Sequence, residues 1–96
     1  MTRSDVEEKL VESIREVQTL SGRSVRGLSS ASSPLQDVEG FDSLNAIEAL
    51  CILSKKIERE FNGDIDLFVP KAKKHIPISI REVASNISDA IGLAKE

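Results

Sequence analysis

The apolar residues at the start of the chain recur at steps of four and three. These residues are Val6, Leu10, Ile14, Val17 and Leu20, and charged residues occupy many of the positions between them. Side chains three or four positions apart share one face of an α-helix, so the spacing predicts a helix over about 5–20. Ser4 or Asp5 is expected to cap its start, and Ser21-Gly22 to end it.

A second helix is predicted over about 43–61, with Asp42 as its N-cap and Asn62-Gly63 as its stop signal. Its apolar residues cover much of the helix circumference, which favours a central position in a bundle. They are Leu44, Ala46, Ile47, Ala49, Leu50, Cys51, Ile52, Leu53, Ile57 and Phe61. The sequence therefore predicts a buried stripe along this helix that includes Leu44 and Cys51.

The last helix is predicted over about 80–94, because Ser79 and Glu82 match a reciprocal capping box. Residues 64–77 contain two prolines, so we expect them to be irregular or to hold one short helix. No segment alternates apolar and polar residues over any length, which argues against a β-sheet. The 96 residues are expected to form a single all-α domain, a bundle of three main helices with or without a short fourth.

The connection between the first two helices, residues 21–42, is long and has no helical stripe. Such a connection is uncommon inside a compact domain unless it is functional or held against the core. Apolar residues spaced along it are expected to hold it there, namely Val25, Leu28, Leu35, Val38 and Phe41. Gly40 either supplies a positive φ angle, lets an attached group pass close to the backbone, or is an ordinary turn glycine.

Size and composition exclude several classes of function. A chain of 96 residues supports one modest core and not the deep cavity of most metabolic enzymes, which favours binding or carrying. The net charge of −3 and the presence of only three aromatic residues disfavour nucleic acid as a partner. No apolar run approaches the roughly 20 residues that span a bilayer, and the N-terminus lacks the apolar core of a signal peptide. The single cysteine fits a reducing cytoplasm.

One serine, Ser43, occupies the predicted first turn of the second helix, directly after the long connection. Helix N-termini present unpaired backbone N–H groups and the positive end of the helix dipole, and both favour phosphate. A hydroxyl at this position can hold a phosphodiester while the rest of an attached arm lies over the neighbouring apolar surface.

The stretch from Leu35 to Glu48 resembles the acyl carrier protein family. The modification motif of that family is Asp-Ser-Leu preceded by a glycine and a variable residue, and residues 40–44 match it as Gly-Phe-Asp-Ser-Leu. The upstream apolar and acidic positions correspond to Leu35, Asp37 and Val38, and Glu48 lies where the family commonly has an acid. In the order and kind of its elements, the resemblance covers most of the chain.

The resemblance implies an acyl-carrier-like bundle that is not itself an enzyme. In that family a phosphopantetheinyl transferase moves 4′-phosphopantetheine from coenzyme A to the serine, here Ser43, and the terminal thiol then carries an acyl group as a thioester. Asp42, Leu44 and Glu48 would belong to the surface that the transferase reads. The implied protein is a stand-alone monomer served by acyl-loading and acyl-processing enzymes (ligase, synthase or acyltransferase) in fatty-acid, lipid or secondary-metabolite synthesis.

A second hypothesis requires no modification. Aspartate and serine are both preferred at helix starts, so Asp42 and Ser43 also fit a plain helix cap. On this interpretation the chain is an unmodified carrier-like bundle that acts as a protein-interaction or regulatory module.

The sequence departs from fatty-acid carriers in its charges. Asn45 stands where those carriers usually have an acid, and Lys55 and Lys56 stand where they are typically acidic. Because lost negative charge slows encounter with basic partners, these positions predict a specialised carrier with its own partners. These lysines, and the cluster Lys71–Lys74, form either an interface or a solvated face.

No set of catalytic or metal-binding residues converges in the sequence, so an autonomous enzyme is the least favoured hypothesis. Cys51 lies on the predicted apolar stripe and is expected to be buried and inert. His75, the only histidine, is expected at the surface. Asp64 and Asp66 resemble the start of a calcium loop but lack its glycine and closing glutamate, so we interpret them as a turn.

Overall fold

The computed structural model describes residues 2–23, 28–29, 31–34, 40–61, 65–68 and 78–93. Within these ranges the chain forms three α-helices, one short 3-10 helix and no strand. The helices are α1 (Arg3–Leu20), α2 (Ser43–Ile57), the 3-10 helix (Ile65–Phe68) and α3 (Ile80–Ala90). The expected all-α bundle of three main helices is confirmed. None of the described helices combines the length and the apolar content that a membrane crossing requires.

α1 is the helix on which α2 and α3 pack. Four residues of its apolar stripe are completely buried, namely Val6, Leu10, Ile14 and Val17, whereas the fifth, Leu20, is exposed at the end of the helix. α1 lies along both α2 and α3, and the 3-10 helix bridges α2 and α3. Burying a side chain of this size contributes roughly 1.5–3 kcal/mol relative to leaving it exposed. Among the described helices, α1 is the one that packs against both of the other α-helices, so the prediction that the second helix is central is wrong.

α2 buries only one of its faces. The buried residues are Ala46, Ala49, Leu50, Leu53 and Ile57. Leu44, Ile47 and Cys51 lie outside this face and are exposed, so the predicted buried stripe is wrong at these three positions. The apolar residues of α2 are numerous, but they are divided between a buried and an exposed face.

α1 runs antiparallel to α3, and ion pairs join the two helices. Arg3, at the start of α1, donates to the Asp89 carboxylate and, at 3.0 Å, to the Leu93 carbonyl at the end of α3. The Glu7 carboxylate lies 3.5 Å from the Arg81 guanidinium, nearer the start of α3. Arg3 thus brings a cation to the C-terminal end of α3, where the helix dipole favours positive charge.

α1 begins earlier than predicted, with Thr2 as its N-cap rather than Ser4 or Asp5. The Thr2 hydroxyl accepts a hydrogen bond from the Asp5 N–H at 3.2 Å, and the Asp5 carboxylate accepts one from the Thr2 N–H at 2.8 Å. This bond from the Thr2 backbone is the largest cause that lowers the pKa of Asp5 below its usual value. Asp5 therefore completes a capping box instead of starting the helix.

Both later helices end earlier than predicted. α2 ends at Ile57 rather than 61, because Glu58 adopts the left-handed conformation (φ 54°) and the Arg59 N–H bonds back into the last turn at 3.2 Å. α3 ends at Ala90 rather than 94, where Gly92 (φ 79°) follows the helix. A glycine just past the last turn is a frequent helix stop.

The predicted capping box at the start of α3 is confirmed. The Ser79 hydroxyl accepts from the Glu82 N–H at 3.2 Å, and the Glu82 carboxylate accepts from the Ser79 N–H at 3.4 Å. The first helix also ends at the predicted signal, since Ser21 and Gly22 follow its last residue.

The described part of the long connection lies against the bundle. Leu28 packs on the core, and Pro34 is fully buried. The Ser32 carbonyl accepts a hydrogen bond from the Ile80 N–H at 2.8 Å, which joins the connection to the start of α3. Several residues named from the sequence lie outside the described residues: Val25, Leu35, Val38 and the stop signal at 62–63.

Leu10→Ala is expected to lower the free energy of unfolding by about 2–5 kcal/mol, because it opens a cavity between α1 and its neighbours. Leu20→Ala on the same helix is the matched control, since Leu20 is 77 % exposed. The control should change stability by less than about 0.5 kcal/mol. Urea denaturation measures both values. Similar losses in the two variants would contradict the assignment of the buried face of α1.

Candidate functional site

Ser43, the serine of the Gly-Phe-Asp-Ser-Leu sequence, is the first residue of α2. Asp42 precedes it as the N-cap in extended backbone (φ −115°, ψ −171°). The Ser43 side chain is exposed, and its hydroxyl has no hydrogen-bond partner among the described residues. The N–H groups of Ser43 and Leu44 belong to the first turn, whose donors have no acceptor within the helix. An exposed hydroxyl therefore lies at the positive end of the helix dipole.

A reciprocal pair of hydrogen bonds closes the first turn of α2. The Asp42 carboxylate accepts from the Asn45 N–H at 3.0 Å, and the Asn45 side-chain oxygen accepts from the Asp42 N–H at 3.3 Å. Asn45 thus occupies the position that a glutamate or glutamine holds in the usual capping box. Asn45 stands where fatty-acid carriers usually have an acid. Here its amide completes the cap of the helix that carries Ser43.

An apolar surface follows the serine along α2. Leu44 is 74 % exposed and Ile47 is 38 % exposed. Glu48 and Cys51 are exposed as well, and residues three, four and seven positions apart share one side of a helix. We call these four residues the α2 face. Among the described residues, the only other large apolar side chain that is exposed is Leu20.

Gly40 and Phe41 fix the approach of the chain to the serine. Gly40 has a φ of 66°, so the positive-φ alternative is confirmed. Phe41 is buried, and its ring centroid lies 6.0 Å from that of Phe68, which confirms it as an anchor. This separation is in the favourable range for an aromatic pair. The contact between Phe41 and Phe68 holds the end of the long connection against the bundle.

Arg23 also belongs to the site, although no sequence pattern points to it. Its Nη1 atom donates to the Gly40 carbonyl at 2.7 Å and to the Asn45 side-chain oxygen at 2.9 Å. The side-chain oxygen of Gln18 lies 3.5 Å from the same nitrogen. Arg23 is 17 positions from Gly40 and 22 from Asn45, so no local spacing rule pairs them.

Charged positions named from the sequence have different surroundings. The Lys56 ammonium lies 3.2 Å from the Glu16 carboxylate, so this lysine joins α2 to α1. Lys55 is exposed. The remaining positions lie outside the described residues or have side chains that are not described: Leu35, Asp37, Val38, Asp64, Asp66, Lys71–Lys74 and His75.

Cys51 is exposed, so the prediction of a buried cysteine is wrong. The buried face of α2 passes through Ala49 and Leu53, two positions to either side of Cys51, and such positions point away from Cys51 on a helix. Across the part of the chain that the structure describes, no group of His, Cys, Asp or Glu is arranged to hold a metal ion.

No family model, no curated protein and no solved structure matches the chain.

Gly40→Ala is expected to destabilise the fold more than Gly22→Ala. Both glycines have a positive φ (66° and 70°), so each alanine carries about 1–2 kcal/mol of backbone strain. A Cβ atom on Gly40 would lie 2.7 Å from Arg23 Nε, whereas one on Gly22 would meet nothing within 4 Å. Displacing Arg23 should add about 1–3 kcal/mol in urea denaturation. Equal losses would contradict the close packing of Arg23 on Gly40.

Proposed function

We propose that this chain is a stand-alone acyl carrier protein that bears a 4′-phosphopantetheine arm on Ser43. The observation that carries the proposal is the exposed hydroxyl at the first position of α2, followed by the exposed Leu44. The surrounding Gly-Phe-Asp-Ser-Leu sequence is the motif that the resemblance to the acyl carrier family rests on. The proposed carrier is cytoplasmic and monomeric, and its partners supply all catalytic groups.

In the proposed attachment step, Ser43 is the nucleophile and a phosphopantetheinyl transferase is the catalyst. The Ser43 hydroxyl oxygen attacks the pantetheine-side phosphorus of the coenzyme A pyrophosphate. A new O–P bond forms as the bridging P–O bond breaks, and adenosine 3′,5′-bisphosphate leaves with the electron pair. The serine proton passes to a base of the transferase, whose divalent cation neutralises charge on the phosphates. Once attached, the arm supplies a thiol that holds the acyl group as a thioester.

The first turn of α2 suits a phosphodiester on Ser43. The unpaired N–H groups of this turn and the helix dipole favour a negative charge there by about 0.3–1 kcal/mol at an exposed site. The carboxylate of the preceding residue, Asp42, accepts a hydrogen bond from the Asn45 N–H at 3.0 Å. The chain therefore offers the phosphate a polar, solvent-open position without a cavity.

The α2 face fits the surface that partner enzymes would read. An exposed leucine beside the reacting serine can enter an apolar pocket of a partner, and interface energy is usually concentrated in a few such anchors. Under this proposal the transferase and the acyl-processing enzymes contact Asp42, Leu44 and Glu48, with Leu44 as the apolar anchor.

The charges along α2 favour a specialised carrier over one of ordinary fatty-acid synthesis. Glu48 is the only acid within α2, Asn45 is neutral, and Lys55 is exposed. Opposite charge patches accelerate the encounter of partners, and this helix has little negative charge to offer. The proposed partners rely on apolar contact with the α2 face more than on charge.

Wild-type apo-protein incubated with coenzyme A, Mg²⁺ and a broad-specificity phosphopantetheinyl transferase is expected to gain one phosphopantetheinyl group. Ser43→Ala should gain none, because the attacking hydroxyl is absent. Ser4→Ala removes another exposed serine from the first turn of a helix, here α1, and should be modified like wild type. Intact-mass spectrometry measures all three proteins.

An established carrier, modified in parallel, controls for transferase activity. If it reacts and the wild type does not, the carrier proposal is wrong, and the unmodified interaction or regulatory module takes its place. A gain that persists in Ser43→Ala would show that another residue is modified.

Leu44→Ala is expected to lower kcat/KM of the transferase about tenfold, through loss of the apolar anchor. Its stability should stay within about 0.5 kcal/mol of wild type, because a side chain that is 74 % exposed packs little. Leu20→Ala, at 77 % exposure on α1, is the matched control and should react at the wild-type rate. Wild-type kinetics for Leu44→Ala would remove Leu44 from the recognised surface.

A further inference from the structure

Hydrogen bonds fix the backbone that leads from the end of α1 to Arg23. After the helix, the Gly22 N–H bonds the Thr19 carbonyl at 3.1 Å, and the Arg23 N–H bonds the Gln18 carbonyl at 2.8 Å. Together with the positive φ of Gly22 (70°), these two bonds form a Schellman motif, which fixes the chain direction past the helix end. The side chain of Arg23 therefore starts from a fixed point on the helix around which the bundle is built.

The Arg23 guanidinium contacts both sides of the segment that carries Ser43. One nitrogen bonds the carbonyl of Gly40, three positions before the serine, and the amide oxygen of Asn45, two positions after it. That amide oxygen also accepts from the Asp42 N–H at 3.3 Å, so its two lone pairs receive two donors. Arg23 is thereby coupled to the cap of α2 as well as to the preceding turn.

The acceptors of Arg23 identify its role. The oxygens of Gly40, Asn45 and Gln18 are all neutral, and among the described residues no carboxylate pairs with Arg23. With these neutral oxygens the guanidinium makes directed hydrogen bonds rather than ion pairs. Bonds with an ionised donor are stronger than neutral ones, so they can hold a turn in one arrangement.

We infer that Arg23 is a positioning residue for Ser43, which holds Gly40 and the first turn of α2 in the arrangement that a phosphopantetheinyl transferase binds. This inference rests on the proposed function of Ser43. Arg23 acts on the serine through Gly40 and Asn45, and it takes no part in the transfer itself.

The expected kinetic signature follows from the population of that arrangement. If the carrier is in the arrangement that the transferase binds for only a fraction of the time, its apparent affinity for the transferase is the intrinsic affinity multiplied by that fraction. Once the complex has formed, the serine is seated as in the wild type. Loss of Arg23 should therefore raise KM for the carrier and leave kcat almost unchanged.

The test compares Arg23→Met, Arg23→Lys and the control Arg59→Met, which removes the same charge at an exposed position after α2. Transferase kinetics are measured with each apo-protein as the varied substrate. Amide hydrogen exchange of the same apo-proteins is followed by NMR at the hydrogen-bonded amides of Asp42, Asn45 and Ala46 and in α3. The exchange measurement requires no modification and reports on the turn directly.

Arg23→Met is expected to raise KM roughly tenfold with kcat within about twofold, and to speed exchange at the bonded amides of Asp42, Asn45 and Ala46 by a similar factor. Exchange in α3 should stay at the wild-type rate. Arg23→Lys keeps a donor and should recover part of the KM, and Arg59→Met should match the wild type.

Unchanged KM, or unchanged exchange at the Asp42, Asn45 and Ala46 amides, in Arg23→Met would overturn the inference. Faster exchange throughout α3 as well would also overturn it, because it would show a general loss of stability. If the wild type is not modified while an established carrier is, the proposed function fails and the positioning role with it. Local exchange would then still show whether Arg23 holds the turn, so the two failures are distinguishable.

Discussion

The packing of α1 against both α2 and α3 is the interaction on which the rest of the described structure depends. The stripe from Val6 to Val17 is completely buried, so α1 supplies apolar surface to two neighbours at once. α2 consequently needs to bury only one side, centred on Ala49 and Leu53. Its remaining apolar residues stay at the surface, and Leu44, one of them, lies next to Ser43. The exposed apolar surface beside the serine is thus a consequence of which helix occupies the centre.

The two ends of α1 hold the other helices through arginines. Arg3, at its start, donates to carbonyl and carboxylate oxygens at the end of α3, including the Leu93 carbonyl at 3.0 Å. Arg23, just beyond its end, donates to oxygens on both sides of Ser43. Burial fixes which faces meet, but it is non-directional. Hydrogen bonds are directional, so the bonds from the two ends of α1 fix how the neighbouring segments are oriented. The bonds of Arg23 orient the segment that contains Ser43.

Local patterns predicted the parts of the fold that depend on near neighbours in sequence. The four-and-three spacing gave α1, and the pair Ser79 and Glu82 gave the start of α3, because both rules operate within one or two helical turns. The position of Ser43 at a helix start follows from the same kind of rule. Local rules did not predict that Leu44 and Cys51 are exposed. Their exposure depends on which helix is central, and contacts between distant segments determine that. Arg23 was unpredictable for the same reason, since its acceptors lie 17 and 22 positions away.

The amide at Asn45 connects the internal structure of the site to the partners it would meet. An acid at this position would accept the same bonds from Arg23 and Asp42, and it would then form an ion pair with the guanidinium. The guanidinium would compensate much of this negative charge, so an approaching enzyme would experience little electrostatic potential from it. Asn45 accepts both bonds without adding charge. Under the proposed function, the features left for a partner to read at this end of α2 are the serine, the apolar side chain of Leu44 and the acids Asp42 and Glu48. Under that proposal, partners therefore recognise this end of α2 by shape and apolar contact more than by an acidic helix surface.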